Sequence, residues 1–154
     1  MSFYKLYIYV CCIIFLKTLQ AEDYIFKWYN NVEVLDSITI ENNSTYRVTN
    51  AEGSWEDSEG YYGHLKCIGP GIINSNGDVE LEVFCEGYDN FEKHFTIKLT
   101  RRSELDVGIG KAIYLSGSGR YRSFIGKECT YAIKYINNSE KGFYRHVCKL
   151  GNIQ

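Results

Sequence analysis

Apolar and polar residues alternate along several segments of the chain. Every second residue is apolar in VELEVFC (79–85), HFTIKLT (94–100) and CTYAIKY (129–135). The side chains of a β-strand point in turn to its two faces, so a period of two is typical of strands that bury one face. The three segments are therefore predicted to be half-buried strands.

Turn-forming residues separate the alternating segments. They occur as NSNGD (74–78), GYDN (87–90), SGSG (116–119) and NNSEKG (137–142), and glycine, asparagine and aspartate tolerate the backbone conformations of tight turns. No long segment repeats its apolar residues with the period of a helix. The sequence predicts an all-β domain, and strands at this density usually close into a barrel or pack as a sandwich, which leaves few open edges.

Four cysteines predict the register of two hairpins. Residues that face each other in an antiparallel hairpin have a constant sum of their numbers. The pair Cys67 and Cys85 is centred in the turn NSNGD, and the pair Cys129 and Cys148 is centred in NNSEKG. Opposed Cα atoms lie ~4.5–5.5 Å apart, within the range that a disulfide spans. We expect disulfides Cys67–Cys85 and Cys129–Cys148; the alternative is four reduced, buried cysteines in a protein that is not exported.

The same registers place opposite charges beside each predicted disulfide. Lys66 falls opposite Glu86, and Glu128 falls opposite Lys149. Exposed cross-strand pairs of opposite charge contribute only about 0.2–1 kcal/mol. The two charge pairs therefore serve to check the two predicted registers and not to explain stability.

The N-terminus has the composition of an export signal. Residues 1–21 contain an early lysine, an apolar segment from Leu6 to Leu16, and Ala21 ahead of acidic residues, which is the pattern of a secretory signal peptide. The apolar segment is shorter than the ~20 residues that span a bilayer. We expect no stable membrane anchor after cleavage, with a retained anchor as the alternative. A single domain over residues 22–154 is then secreted or periplasmic.

The charge balance excludes two classes of partner. The chain has 17 basic and 19 acidic residues, and two of the basic ones lie in the predicted signal peptide. Nucleic acid and anionic membranes both require a basic surface. We therefore expect neither as the main partner.

A glycine–aromatic motif lies between two predicted strands. The sequence GSGRYRSFIG (117–126) has the pattern G-x-G-x-Y-x-x-F-x-G, and it resembles the signature of the allene oxide cyclase and dirigent superfamily. GSWEDSEGYYGHLKCIG (53–69) resembles an earlier part of the same barrel. The resemblance covers about residues 54–150 and implies an antiparallel up-and-down barrel of eight strands, with the motif at a corner between late strands.

Each part of the motif has a predicted role. Gly117 and Gly119 are expected to form a tight turn with positive φ angles, and Gly126 to allow a bulge or a close approach of the backbone. Tyr121 and Phe124 are expected to pack back on the barrel. Allene oxide cyclases close a fatty-acid epoxide into a ring and dirigent proteins steer radical coupling, whereas many small bacterial relatives have no assigned activity. The resemblance therefore implies a small secreted member of unassigned activity, with a cyclase or isomerase as the alternative. No catalytic residue of either enzyme matches a position here.

His146 and Tyr131 are the candidates for acid–base chemistry. In the register set by Cys129 and Cys148, His146 falls opposite Tyr131 and on the same face as the disulfide. If that face points inwards, Tyr131, Tyr144 and His146 line a cavity and can exchange a proton with a ligand. The alternative is a structural histidine that is hydrogen-bonded to a tyrosine hydroxyl.

Trp55 lies in the acidic segment EGSWEDSEGYYG (52–63). One hypothesis is a mobile lid or rim in which Trp55 lines and caps the cavity. A second is a weak calcium site, although the segment lacks the ligand order of an EF-hand loop. The alternative is a solvated acidic loop with one packed indole ring.

Asn42, Asn43 and Asn137 each begin an N-x-Ser/Thr sequon. In a eukaryotic secretory pathway they are glycosylation candidates, because all three are predicted to lie in loops. In a bacterium the same sequons carry no meaning.

Three functions remain open. The first is a binding module that holds a small apolar or aromatic ligand or a protein partner. The second is a cyclase or isomerase that acts inside the barrel, and the third is a structural envelope protein with a filled barrel. No cofactor is expected, and no metal, since the three histidines lie on different strands without the spacing of a ligand set. An accessible cavity distinguishes the first two functions from the third.

Overall fold

The computed structural model describes residues 23–137 and 140–149, which form a closed barrel of eight antiparallel strands. Each strand pairs with its neighbours along the chain, and the first strand closes the barrel by pairing with the last. The strands are β1 (Tyr24–Thr39), β2 (Thr45–Asp57), β3 (Tyr62–Ile73), β4 (Asp78–Asp89), β5 (His94–Glu104), β6 (Val107–Gly117), β7 (Glu128–Ile136) and β8 (Lys141–Cys148). The predicted all-β, up-and-down barrel is confirmed.

Both predicted disulfides are present. Cys67 of β3 is bonded to Cys85 of β4, and Cys129 of β7 is bonded to Cys148 of β8. The predicted registers hold along both hairpins, and all four sulfurs are inside the barrel. Disulfides persist in oxidising compartments, so the two bonds indicate an extracellular type of environment.

The two predicted charge pairs differ in outcome. Lys66 lies opposite Glu86, as the register requires, but the Glu86 carboxylate accepts a hydrogen bond from the Tyr88 hydroxyl. Glu128 forms its ion pair with Lys111 of β6, at 2.8 Å, and Lys149 follows the last residue of β8. The prediction considered only the hairpin partner, whereas a strand in a barrel has a neighbour on each side.

One half of the lumen is filled by interlocking rings. The Phe26 ring is stacked on Trp55 with centroids 4.9 Å apart and on His146 at 4.6 Å, and the Phe95 ring lies against Trp55 at 5.6 Å. Tyr114 lies against Phe95 at 5.8 Å. Offset and edge contacts of this kind stabilise a core beyond the burial of area alone. This half ends at the loops after β2, β4 and β6 and is called the closed end; the opposite half, which ends at the loops after β1, β3, β5 and β7, is called the open end.

A short 3₁₀ helix, Gly119–Phe124, covers the closed end. Its Tyr121 and Phe124 side chains are inserted into the barrel and are almost fully buried, as predicted. Gly119 and Gly126 have φ angles of +55° and +79°, whereas Gly117 has no positive φ, which corrects that part of the prediction. Gly117 is needed for another reason: a Cβ atom there would lie 2.5 Å from the Tyr121 Cβ. The helix itself was not predicted.

Candidate functional site

His146 is fully buried between two tyrosine hydroxyls. Its Nε2 lies 3.2 Å from the Tyr114 hydroxyl and its Nδ1 lies 3.0 Å from the Tyr144 hydroxyl. A neutral imidazole has one donor and one acceptor nitrogen, so one hydroxyl donates to the ring and the other accepts from it. Tyr131 lies opposite His146 in the strand register, as predicted, but its ring packs on Tyr144, with centroids 4.7 Å apart.

The electrostatics of this cluster keep it neutral. Burial lowers the pKa of His146 to about 3, because an imidazolium loses its hydration inside the barrel. Burial raises the pKa of Tyr114 and of Tyr144 well above the usual range. His146 therefore has both nitrogens occupied and stays uncharged at neutral pH. This geometry matches the structural alternative for His146 more closely than the acid–base hypothesis.

The disulfide beside His146 does not leave free thiolates. One ring nitrogen of His146 and the sulfurs of Cys129 and Cys148 lie within 4.8 Å of one another. Both sulfurs are consumed by the Cys129–Cys148 bond, and metal binding by cysteine requires the thiolate. The cluster is thus part of the packed core in the oxidised protein.

Trp55 is a core residue rather than part of a lid. It lies within β2 and is 2% exposed, so it lines the lumen, but at its packed half. Most of the acidic segment around it belongs to the end of β2 and the start of β3 and not to a loop. The side chain of Asp57, at the end of β2, is completely buried and forms an ion pair with Arg120 of the 3₁₀ helix, at 2.9 Å.

The Asp57 carboxylate holds the closed end together. Its Oδ2 accepts hydrogen bonds from the Tyr24 hydroxyl and from Arg120, and its Oδ1 accepts from the backbone N–H groups of Glu59 and Tyr61. The guanidinium of Arg120 also lies 3.7 Å from the centroid of the Tyr61 ring. With all these donors on one carboxylate, the arrangement is that of a structural ion pair and not that of a calcium site.

The remaining sequence predictions concern the surface and the N-terminus. Asn42, Asn43 and Asn137 are exposed and lie at turns, where the glycosylation prediction requires them. The predicted signal peptide, residues 1–21, lies outside the described residues. Within those residues, no helix is long and apolar enough to cross a membrane.

The open end contains a cavity of about 50 Å³. Its wall is largely apolar and aromatic, and two of its residues are the arginines Arg47 and Arg101. Neither arginine was among the predicted site residues, although the signal was present. Arg101 follows Leu99 with the inward parity of β5, and Arg47 has the same parity as Trp55 in β2. The residues that line the cavity include Trp28, Val83, Leu99, Tyr131, Ile133, Tyr135 and Tyr144.

A larger groove of about 400 Å³ lies on the outer wall. Two rows of residues cross four neighbouring strands there, from β1 through β8 and β7 to β6. The first row is Tyr29, Phe143, Lys134 and Val107, and the second is Lys27, Arg145, Ala132 and Ile109. Tyr29, Val107 and Phe143 are almost half exposed and Ile109 is 67% exposed. We call this surface the outer groove.

No protein-family model matches the sequence, and no curated protein does.

Proposed function

We propose that this protein is an exported binding module that engages a protein partner through the outer groove. The observation that carries the proposal is the contrast between lumen and wall. The open end of the lumen encloses about 50 Å³, which is well below the ~300–1,000 Å³ of typical ligand pockets. The outer groove measures about 400 Å³. Export rests on the predicted signal peptide and on the two disulfides.

The apolar residues of the outer groove support a contact with another protein. The rings of Tyr29 and Phe143 meet edge to face at 6.0 Å, and Val107 and Ile109 extend the apolar surface on β6. Contiguous exposed apolar patches with a polar rim are typical of interaction sites. Aromatic residues at the centre of such a patch carry much of the binding free energy.

The charged residues of the outer groove indicate the chemistry of the partner. Lys27, Lys134 and Arg145 line it, and no acidic side chain does so among the described residues. Lys27 is already paired with Glu56, at 3.0 Å, which leaves Lys134 and Arg145 as the basic groups beside the apolar centre. We infer a partner segment with an aromatic or aliphatic anchor flanked by carboxylates, since complementary charge favours association and specificity.

The enzymatic alternative has less support. A cyclase needs an inward polar group that can transfer a proton, and His146 is held between Tyr114 and Tyr144 in its neutral form. A relationship to the allene oxide cyclase and dirigent superfamily remains a proposal. It is supported by the position of the motif, which lies between β6 and β7.

Selection of displayed random peptides on the disulfide-bonded protein tests the proposal with probes of known sequence. Peptides that bind should share an apolar or aromatic residue with neighbouring Asp or Glu. Phe143→Ser should weaken their binding at least tenfold, because the aromatic anchor of the groove is removed.

Phe84→Ser is the matched control for this experiment. Phe84 lies on the outer face of β4 and is 48% exposed, the same as Phe143. Binding that is lost in Phe84→Ser and kept in Phe143→Ser would move the site to another part of the wall. A library that yields no acidic, apolar consensus would contradict the proposed partner chemistry.

A further inference from the structure

Arg101 is a buried charged group inside the open end of the lumen. It points inwards from β5 and is 3% exposed. Its Nη1 donates to the carbonyl oxygen of Glu104 at 3.2 Å, and its Nη2 donates to that of Leu105 at 3.1 Å. Its Nε–H is buried and has no acceptor. A guanidinium carries five N–H donors, so carbonyl groups satisfy only part of this buried cation.

A second arginine lies at the same opening. Arg47 of β2 lines the same cavity and is half buried. Burial lowers the pKa of Arg47, and the charge of Arg101 lowers it further, while Tyr135 and the Asp106 carboxylate act in the opposite direction. The three charged groups, Arg47, Arg101 and Asp106, together carry one net positive charge. A monoanion at this point would balance it.

The cavity below the arginines is largely apolar. Trp28, Val83, Leu99 and Ile133 are buried and line it. Its volume of about 50 Å³ exceeds the ~30 Å³ that one water molecule occupies in the liquid, so it accepts the end of a short chain but not a whole fatty acid or phenol.

We propose that the open end binds a small monocarboxylate, with its carboxylate between Arg47 and Arg101 and its short apolar chain directed towards Trp28. A carboxylate is the preferred planar partner of a guanidinium, because the two can form parallel charge-assisted hydrogen bonds. Burial of a cation is costly unless it is paired, so the anion supplies the acceptor that the Nε–H of Arg101 lacks. This site is separate from the outer groove and does not depend on it.

Calorimetric titration of the disulfide-bonded protein tests the proposal with three probes: sodium butanoate, butan-1-ol and inorganic phosphate. Butanoate should bind saturably. Butan-1-ol, which keeps the chain without the charge, and phosphate, which keeps the charge without the chain, should each bind at least tenfold more weakly. Equal binding of butanol would overturn the role of the arginines, and equal binding of phosphate would overturn the role of the chain.

Variants assign the site within the barrel. Arg47→Gln should weaken butanoate binding at least tenfold, because one of the two charged partners is lost. Arg102→Gln is the matched control: Arg102 follows Arg101 on the outer face, where its side chain is 79% exposed, and its removal should leave binding unchanged. Arg101→Gln is the stronger test if it folds. Should it not fold, Arg47→Gln decides, since unchanged binding in that variant contradicts the proposal.

The two indole N–H signals in an ¹H–¹⁵N spectrum give a second readout. Trp28 and Trp55 are the two tryptophans of the chain, and Trp28 lines the cavity whereas Trp55 lies in the packed half. Butanoate should shift the Trp28 signal and leave that of Trp55 unchanged. Phe143→Ser should retain this shift, so failure of the outer-groove proposal and failure of this one are distinguishable. Shifts confined to the outer wall, or no saturable shift of Trp28, would overturn the assignment.

Discussion

The hydrogen bonds of single side chains determine what the lumen can do chemically. His146 has the residue type of an acid–base catalyst, yet two tyrosine hydroxyls occupy its nitrogens and burial lowers its pKa to about 3. Arg101, which no motif marks, keeps a buried N–H without an acceptor. Both nitrogens of His146 thus have hydrogen-bond partners within the core, whereas Arg101, at the open end, has a donor that is free to bind.

The pKa of His146 predicts how stability depends on pH. The unfolded chain takes up a proton at this histidine below pH 6.5, its ordinary pKa, whereas the folded protein does so only at about pH 3. The unfolded state therefore binds more protons in this window, and the free energy of unfolding falls as the pH decreases, by up to about 1.4 kcal/mol per pH unit.

Urea denaturation between pH 7.5 and 5 measures this slope. His146→Gln removes the titrating group and should flatten the dependence on pH, although its stability at pH 7.5 will be lower. An equal slope in the wild-type protein and in His146→Gln would show that other groups are responsible.

Among the elements, the 3₁₀ helix over Gly119–Phe124 is joined to the end of β2 by a buried ion pair. Arg120 and Asp57 are far apart in the chain, and their side chains are 17% and 0% exposed. Removing one member of a buried pair leaves the other charge without compensation. Arg120 also pairs with Glu59, at 2.9 Å, so it is the loss of Arg120 that leaves the buried Asp57 carboxylate without a cation and should loosen the helix.

Arg120→Met should lower the free energy of unfolding by about 3 kcal/mol. Lys111→Met is the control, because its pair with Glu128 is largely exposed, and its loss should cost less than about 1 kcal/mol. Urea denaturation of the two variants at pH 7.5 makes the comparison. Similar small losses in both would mean that the helix is held by Tyr121 and Phe124 alone.

The strands were predictable from the sequence because their signals are local. Alternation identifies the inward residues of β4, β5 and β7, and the sums of the cysteine numbers identify two registers. The Arg120–Asp57 pair was not predictable in this way, because it joins the 3₁₀ helix to a residue of β2 that lies 63 positions earlier in the chain. The same holds for the Tyr114–His146–Tyr144 cluster, where register placed Tyr131 opposite His146 but could not show which hydroxyls its ring nitrogens meet.

At the scale of the whole molecule, two covalent bonds reinforce hairpins that already pair. Cys67–Cys85 and Cys129–Cys148 close chain segments with sequence separations of 18 and 19. Cross-links of this length restrict the unfolded chain and stabilise the folded state by roughly 3 kcal/mol each.

Replacing one cysteine pair by alanine should therefore lower the free energy of unfolding by about 3 kcal/mol, and the two double variants should lose similar amounts. Guanidinium denaturation of Cys67→Ala/Cys85→Ala and of Cys129→Ala/Cys148→Ala checks this. A much greater loss for the second pair would show that the disulfide also supports the His146 cluster that it contacts. A negligible loss for either would contradict the entropic argument.

The closure of the barrel has a consequence for how the chain folds. Seven of the eight strand pairings within the described residues join consecutive strands, and only β1 with β8 joins distant parts of the chain. Hairpins form quickly because little loop entropy opposes them, whereas a contact between chain ends is slow to form. The β1–β8 seam is thus expected to form last and to open first, so that amide hydrogens along it should exchange with solvent sooner than those of the cross-linked hairpins.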